Sequence, residues 1–113
     1  MDCIFCRIIA KEIPSKIIAE TSNILVIQDR VPSAPIHYLI IPKKHISDIA
    51  ALTQDDVMLA GSLLLMAKTL SEQDVRASAF KLAVNNGAAV GQSVFHVHVH
   101  FLAGFSQKPD HLI

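Results

Sequence analysis

The sequence predicts an α+β fold: an antiparallel sheet of about five strands with one long helix and a short N-terminal helix. Short runs of β-branched and apolar residues, separated by turn-forming residues, predict the strands. One apolar stretch, after Thr53, is long enough to form a helix of several turns. With 113 residues, the chain is predicted to form a single domain, residues 1–113.

The elements follow one another in a simple order. Residues 3–10 have the spacing of a short helix whose apolar face holds Ile4, Phe5 and Ile8. Pro14 turns the chain into the first strand, which is predicted to form a hairpin with the second. Residues 45–52 predict a short helix or a turn. The five strands are predicted at residues 16–19, 24–28, 38–41, 79–85 and 94–103.

Thr53 is predicted to begin the long helix, with Asp56 three residues later as its capping-box partner. Between Val57 and Leu70 the apolar residues cover more of the helix surface than one narrow stripe. A chain of this length has little other structure with which to cover a second apolar face. We therefore expect a homodimer, paired through helix residues 54–70 and the neighbouring strand residues 81–84.

Composition argues against several classes of protein. Ten basic and ten acidic residues give a formal net charge of zero, and no basic run indicates nucleic-acid binding. The most apolar stretch, residues 57–67, is interrupted by Gly61 and is too short to span a bilayer. The N-terminus does not resemble a secretory signal. We expect a cytoplasmic protein that binds neither nucleic acid nor membrane and carries no organic cofactor.

The most informative segment is His96–Leu102, in which histidines alternate with apolar residues. Strict alternation is typical of a half-buried strand and places all three histidines on one face. Neighbouring imidazoles are then about 6.6 Å apart along the strand. A solvated strand face would more commonly carry Thr, Lys or Glu. Three nucleophilic rings in a row therefore predict a catalytic or binding site.

The segment before this histidine row, residues 85–93, reads NNGAAVGQS and is rich in turn-forming residues. Its glycines permit positive φ and close approach of the backbone to a ligand. Backbone N–H groups and the Ser93 hydroxyl can bind an anion in such a loop. Alone, the segment would indicate only a hairpin connection. Joined to the histidine row, it predicts a phosphate-binding loop.

Several motifs together resemble the histidine triad (HIT) superfamily. The segment GQSVFHVHVHFL, residues 91–102, is similar to the signature of that superfamily. Agreement with its Hint-type branch, the nucleoside phosphoramidate hydrolases, extends to DCIFCRII at residues 2–9, KEIP at 11–14, APIH at 34–37 and IPKKHI at 41–46. The resemblance covers nearly the whole chain and implies the HIT-like fold.

The resemblance implies hydrolysis of purine nucleoside phosphoramidates. His98 matches the nucleophile that attacks the α-phosphorus, so that an amine leaves and water then hydrolyses the nucleotidyl-histidine. His100 and the backbone of residues 91–94 would stabilise charge on the phosphoryl oxygens. Ser93 would help to protonate the departing amine, and His37 would support the row through hydrogen bonds.

The same resemblance implies a slot for a purine nucleotide, a derivative of AMP or GMP. Asp29 matches the acidic residue that accepts hydrogen bonds from the ribose hydroxyls, and Asn85 the residue beside ribose and phosphate. The loop residues expected at the phosphate are Gly91, Gln92, Ser93 and Val94. The apolar residues expected around the base are Ile4, Phe5, Ile8, Ile27 and Leu39.

The chain departs from the family pattern at three places. Ile27 stands where many relatives have Phe, which weakens aromatic stacking on the base. Arg30 replaces an apolar neighbour of the ribose-binding aspartate. The short tail, residues 106–113, differs from relatives whose C-termini shape the pocket of the leaving group.

Cys3 and Cys6 have the Cys-x-x-Cys spacing of a zinc knuckle. A structural zinc site takes four ligands, and His45 and His96 are the natural complement. Bacterial Hint-type proteins and galactose-1-phosphate uridylyltransferase resemble this arrangement. We expect a structural zinc that joins the N-terminal helix to the histidine row. The alternative is a pair of free thiols on an apolar helix.

Two other functions are consistent with the sequence. The first is a non-catalytic metal- or nucleotide-binding module that uses the three histidines as ligands, although about 13 Å from first to last is too far for one ion. The second keeps the nucleophile and changes the leaving group: a dinucleoside polyphosphate hydrolase of the Fhit-type branch, or an adenylyl transferase.

Overall fold

The computed structural model describes residues 2–107 and contains the predicted five-stranded antiparallel sheet with two helices. Helix α1 is Ile4–Ile9 and helix α2 is Val57–Gln73. The strands are β1 (Ile17–Glu20), β2 (Ile24–Gln28), β3 (Ile36–Pro42), β4 (Phe80–Ala83) and β5 (Val99–Ala103), in the spatial order β1-β2-β3-β5-β4. Residues 108–113, which are most of the short tail 106–113, lie outside the described residues.

The sheet separates two apolar clusters. On one face, Leu63, Met66 and Leu70 of α2 pack against β2, β3 and β5. On the other face, Phe5 and Ile8 of α1 pack against the side chains that point the opposite way on β2 and β3. This division follows from the alternation of side chains along a strand. Because α1 is short, it covers only part of its face of the sheet.

The strand register aligns three predicted site residues across the sheet. Ile27 of β2 lies opposite Leu39 of β3, and Leu39 lies opposite His100 of β5. Residues directly opposite each other on neighbouring strands point to the same face. An apolar floor therefore lies next to His100 on the α1 face.

The strand predicted at residues 94–103 is shorter in the structure, because β5 begins only at Val99. Val99, the first residue of β5, pairs with Ile40 of β3 and ends the ladder between these two strands. Farther along, β3 ends at Pro42, which has no N–H to donate. Val97 instead donates its N–H to the carbonyl of Ile46. Only His100 of the three histidines lies on a strand, whereas His96 and His98 lie on the segment leading into it.

The other elements agree with the predictions within a few residues. The β1–β2 hairpin forms with Ile17 opposite Ile27. Strand β3 is longer than predicted and β4 is shorter. In the segment 45–52, a single 3-10 turn forms at Ile49–Ala51, with the Asp48 carboxylate accepting the N–H of Ala51.

Helix α2 has two opposite apolar faces. The face on the sheet is buried, whereas Met58, Leu64 and Leu65 on the other side are 85%, 62% and 64% exposed. Val57 belongs to the same exposed face. This pattern agrees with the prediction of apolar residues around more than one stripe of the helix. Within residues 2–107, no helix is long and apolar enough to cross a bilayer.

The predicted capping box is present, but it caps a 3-10 turn, Gln54–Asp56, so that α2 itself begins at Val57 rather than directly after Thr53. Thr53 accepts the N–H of Asp55, and the Asp56 carboxylate accepts the N–H of Thr53. Asp56 is buried and also lies 2.6 Å from the Lys44 ammonium group. Lys44, and then the Thr53 backbone, lower the pKa of Asp56 below its usual value of 3.8. The ionised carboxylate therefore joins the helix to the segment after β3.

We predict that Asp56→Asn lowers the free energy of unfolding at pH 7. A carboxylate whose pKa is lowered by folding stabilises the protein above its unfolded pKa, and this stabilisation disappears as the pH falls through the folded pKa. The difference in the free energy of unfolding between the wild-type protein and Asp56→Asn should therefore disappear at pH values below the usual pKa range of a carboxyl group. Urea titrations at several pH values would measure this, with the exposed neighbour Asp55→Asn as control. A constant difference across pH would contradict the assignment.

Candidate active site

A cavity of about 260 Å³ opens on the α1 face of the sheet, beside His98 and His100. Its wall contains all the predicted nucleotide-binding residues except Gln92. Three residues that were not among the predicted site residues also line it: Ser15, Gln28 and Arg30. Gln28 ends β2 immediately before Asp29, and its position next to this predicted site residue is the sequence feature that could have identified it. The predicted members of the wall are Ile4, Phe5, Ile8, Ile27, Asp29, Leu39, Asn85, Gly91, Ser93, Val94, His98 and His100.

His98 is buried at the wall of this cavity, with one ring nitrogen held by the backbone. Its Nδ1 lies 2.8 Å from the carbonyl oxygen of His96. A carbonyl only accepts hydrogen bonds, so Nδ1 carries the proton and Nε2 keeps its lone pair. Burial lowers the pKa of His98 and favours the neutral ring. The Phe5 ring packs edge-on against it, with the ring centroids 5.0 Å apart.

His100 has the opposite tautomer, which a chain of hydrogen bonds imposes. Ser33 donates its N–H to Nδ1 of His37 at 2.9 Å, so neutral His37 carries its proton on Nε2. That Nε2 lies 2.8 Å from Nδ1 of His100, which must accept. The proton of His100 is then on its own Nε2. Burial, followed by His98 and His37, lowers the pKa of His100 and favours this neutral form.

Asp29 lies next to His37 in the same group of side chains. Its Oδ1 accepts the N–H of Val31 at 2.9 Å, and its Oδ2 lies 3.3 Å from Nε2 of His37. Asp29, His37 and His100 lie close enough to hold a metal ion. However, Nε2 of His37 carries a proton rather than a lone pair, so a hydrogen-bond chain explains this cluster better. The carboxylate oxygens retain lone pairs for donors from a ligand.

The loop before the histidine row contributes Asn85, Gly91 and Ser93 to the cavity wall, and Val94 follows directly. Gly87 and Gly91 have φ values of 105° and 99°, which residues with a Cβ rarely adopt. The N–H groups of Gly91 and Gln92 are bonded to carbonyls within the loop. Among the hydrogen bonds of residues 2–107, none uses the N–H of Ser93 or Val94. Of the four backbone N–H groups of residues 91–94, only those of Ser93 and Val94 are therefore available to an anion.

The side chain of Gln92 lies behind this loop rather than in the cavity wall. It is only 4% exposed, and its Oε1 accepts the N–H of Gly87 at 2.7 Å. Its Nε2 donates to the carbonyls of Ser47 at 2.9 Å and Val94 at 3.2 Å. Both amide protons of Gln92 are thus bonded to the protein.

Next to the cavity, four side chains form a cluster with the donors of a zinc site. The donor atoms of Cys3, Cys6, His45 and His96 all lie within 4.8 Å of one another. Four of the separations are Cys3 Sγ–His96 Nδ1 at 3.4 Å, Cys6 Sγ–His45 Nδ1 at 3.3 Å, Cys6 Sγ–His96 Nδ1 at 3.6 Å and His45 Nδ1–His96 Nδ1 at 3.2 Å. A tetrahedral zinc with ordinary bond lengths separates such atoms by about 3.3 to 3.8 Å.

The tautomer of His96 also suits this cluster. Its Nε2 lies 2.7 Å from the carbonyl oxygen of Pro42, so Nε2 carries the proton and Nδ1 offers its lone pair to the cysteines. The three histidines of the row therefore do not converge. His96 faces the cysteines, whereas His98 and His100 face the cavity, which argues against a metal module built from the row.

Comparisons with known proteins cover nearly all of the chain. Residues 2–110 match the family model described as "Scavenger mRNA decapping enzyme C-term binding". A HIT-like protein of Synechocystis sp. is 46% identical over 110 residues, which are 96% of each chain. The structure of a HIT family hydrolase from Legionella pneumophila is 39% identical, with a TM-score of 0.88 over 95% of this chain and 96% of that one.

Two further solved structures bear on ligands. A histidine triad nucleotide-binding protein from Candida albicans is 28% identical, with a TM-score of 0.79 over 99% of this chain and 85% of that one. A zinc-bound histidine triad family protein from Mycobacterium smegmatis is 28% identical, with a TM-score of 0.73 over 94% and 77%. Since the family model and the relatives extend over almost the entire sequence, the chain belongs to the HIT superfamily.

Proposed function

We propose that the protein is a nucleoside phosphoramidate hydrolase of the Hint-type branch, which releases a nucleoside 5′-monophosphate and an amine. The observation that carries this proposal is the tautomer of His98. Its Nε2 lone pair is available in the cavity because Nδ1 is bonded to the His96 carbonyl. The similarity to HIT family hydrolases supports a hydrolytic reaction.

The reaction takes two displacements at phosphorus. In the first, Nε2 of His98 forms a bond to the α-phosphorus while the P–N bond to the amine breaks, and the amine leaves with a proton. In the second, water attacks the nucleotidyl-histidine, the P–Nε2 bond breaks, and the monophosphate leaves. The Ser93 hydroxyl lines the cavity and is the candidate to pass the proton to the amine.

Neutral donors stabilise the charge on the phosphoryl oxygens. His100, Ser93 and Val94 line the cavity, and the N–H groups of Ser93 and Val94 have no partner within residues 2–107. Fixed donors of this kind need little reorganisation as charge shifts in the transition state. Asn85 lines the same end and adds an amide side chain.

The rest of the cavity suits a purine nucleoside. The Asp29 carboxylate can accept hydrogen bonds from the two ribose hydroxyls. The apolar wall beyond it, formed by residues of α1, β2 and β3, suits the faces of a base. Ile27 and Leu39 lie side by side there as the floor. The substrate we propose is therefore a phosphoramidate of AMP or GMP.

We predict that His98→Ala lowers kcat on a fluorogenic adenosine phosphoramidate by about three orders of magnitude or more, because a covalent nucleophile is lost. Binding of AMP should persist, since the base, ribose and phosphate contacts remain. Steady-state fluorescence and calorimetry would measure the two quantities. Near-normal turnover by the variant would exclude His98 as the nucleophile.

The same assay compares the two candidate reactions. The wild-type enzyme should turn over the phosphoramidate faster than diadenosine polyphosphate by about tenfold or more in kcat/KM, a difference of about 1.4 kcal/mol in transition-state binding. A preference for the diadenosine compound would favour the alternative, a dinucleoside polyphosphate hydrolase or nucleotidyl transferase. Loss of both activities in His98→Ala would show that the two reactions share the nucleophile.

We further propose that Cys3, Cys6, His45 and His96 hold a structural zinc ion. The distances and the tautomer of His96 support it, as does the zinc-bound relative. Burial, and then Cys3, raise the pKa of the Cys6 thiol. A zinc ligand must be a thiolate, so metal binding at this site releases protons. When bound, the ion would crosslink α1 to the segment that carries His98.

Protein purified without chelator or His-tag should contain about one zinc per chain by elemental analysis, because the four donors complete one tetrahedral site. Cys3→Ser/Cys6→Ser should lose the metal and melt at a lower temperature, since binding free energy contributes to folding. Wild-type protein that is metal-free and equally stable after chelator treatment would exclude a structural zinc.

A homodimer through the exposed face of α2 is the assembly that we propose. The face defined by Val57, Met58, Leu64 and Leu65 is large and apolar, and β4 beside it is an edge strand. A second copy would cover the apolar face and pair the edge of the sheet.

Sedimentation at micromolar concentration should give about twice the chain mass of 12.3 kDa. Leu64→Glu should shift the protein to the monomer, because it places a charge in the proposed interface. Ile17→Glu, at an exposed position of the opposite edge strand, is the matched control and should remain a dimer. A monomeric wild-type protein would contradict the proposed assembly.

A further inference from the structure

We propose that Gln92 is a positioning residue for phosphate recognition, which holds the N–H groups of Ser93 and Val94 in place without touching the substrate. This inference rests on the proposed function, because it assumes that a nucleotide phosphate occupies the cavity beside His98. It assigns to Gln92 a role different from the direct contact expected from the sequence.

The three hydrogen bonds of the Gln92 side chain join three separate segments. Its Oε1 holds Gly87 at the start of the loop, and its Nε2 holds Val94 at the end. The second proton of Nε2 reaches Ser47, on the segment between β3 and α2. The loop is therefore attached at both ends and to the body of the protein by a single buried amide.

A side chain with these bonds cannot also bind a phosphate. An amide group has two N–H donors, and both are occupied by the carbonyls of Ser47 and Val94. Its oxygen points to Gly87, and an amide oxygen does not bind a phosphate oxygen in any case. Any effect of Gln92 on the substrate must therefore pass through the backbone that it holds.

The backbone held in this way belongs to residues that line the cavity, Ser93 and Val94. The Gln92 side chain bonds the carbonyl of Val94, and its own backbone precedes Ser93, so that the segment 92–94 is closed by a hydrogen bond. The N–H groups of Ser93 and Val94 inside this closed segment have no partner within residues 2–107. Gly87 and Gly91, which permit many backbone conformations, flank the turn. Without the amide, the loop would lose the fixed direction of its donors, and fixed donors contribute most to stabilising an anion.

The test compares ligands with and without a phosphate. Gln92→Met removes all three hydrogen bonds with little change in volume, and Gln92→Glu keeps the acceptor but loses both donors. Each variant should bind AMP about tenfold more weakly, as expected for the loss of about one hydrogen bond to a charged group. Adenosine affinity should change by less than about twofold, because the base and ribose contacts are unaffected. Calorimetry gives both values.

Asn86→Ala is the matched control. Asn86 also attaches the loop to the body, since its Oδ1 accepts the N–H of Ala50 at 3.2 Å. It holds neither Ser93 nor Val94, so its loss should leave AMP affinity within about twofold. Equal losses of AMP and adenosine affinity in the Gln92 variants, or no loss, would overturn the inference while leaving the proposed function intact.

Nuclear magnetic resonance of the wild-type protein provides a second measurement that does not depend on the folding of a variant. On addition of AMP, the backbone amide signals of Ser93 and Val94 should shift, whereas the side-chain amide signals of Gln92 should move little. If the Gln92 side chain shifts most, it contacts the phosphate and the inference is wrong. A wild-type protein that binds no AMP at all would instead overturn the proposed function, and the inference with it.

Discussion

Each imidazole of the histidine row has one ring nitrogen held by a protein group, and this determines what its other nitrogen can do. The carbonyls of Pro42 and His96 accept from His96 and His98, respectively, so these two rings keep a lone pair on the opposite nitrogen. His100 accepts from His37 and therefore donates from its free side. Two electron-pair donors and one proton donor thus arise from three identical side chains.

Helix α1 connects the two sites that these tautomers create. It begins next to Cys3, carries Cys6, and contributes apolar side chains to the wall of the cavity beside His98. The ring of Phe5 packs against both His96 and His98, with centroid separations of 5.9 Å and 5.0 Å. A displacement of this helix would therefore alter the cysteine–histidine cluster and the surroundings of His98 together. The short length of α1 leaves it dependent on such contacts, since an isolated helix of this size is unstable in water.

Arg30, beside Asp29, is the only lysine or arginine among the described residues that line the cavity. The residues that we propose around the phosphate, among them Ser93, Val94 and His100, carry no permanent positive charge. Neutral imidazole and backbone donors must therefore stabilise an anion there. The strength of such dipoles depends on their direction, because they cannot follow the anion as a mobile charge can. Buried contacts behind the loop, such as those of Gln92, consequently matter for a ligand that they do not touch.

The sequence by itself determined the order of the elements and the capping box of Thr53 and Asp56, since each depends on neighbours within a few residues. The predicted strand alternation does not extend over the whole histidine row, because only His100 lies on β5. The family motifs also identified most of the cavity wall. Only the tertiary structure decided where β5 begins, which nitrogen of each imidazole is free, and that Gln92 lies behind the loop. These properties depend on partners distant in the chain, such as Pro42 for His96, 54 residues away, and Ser47 for Gln92, 45 residues away. Hydrogen bonds of that kind leave no periodic pattern in a sequence, because they form only when the packed strands bring the groups together.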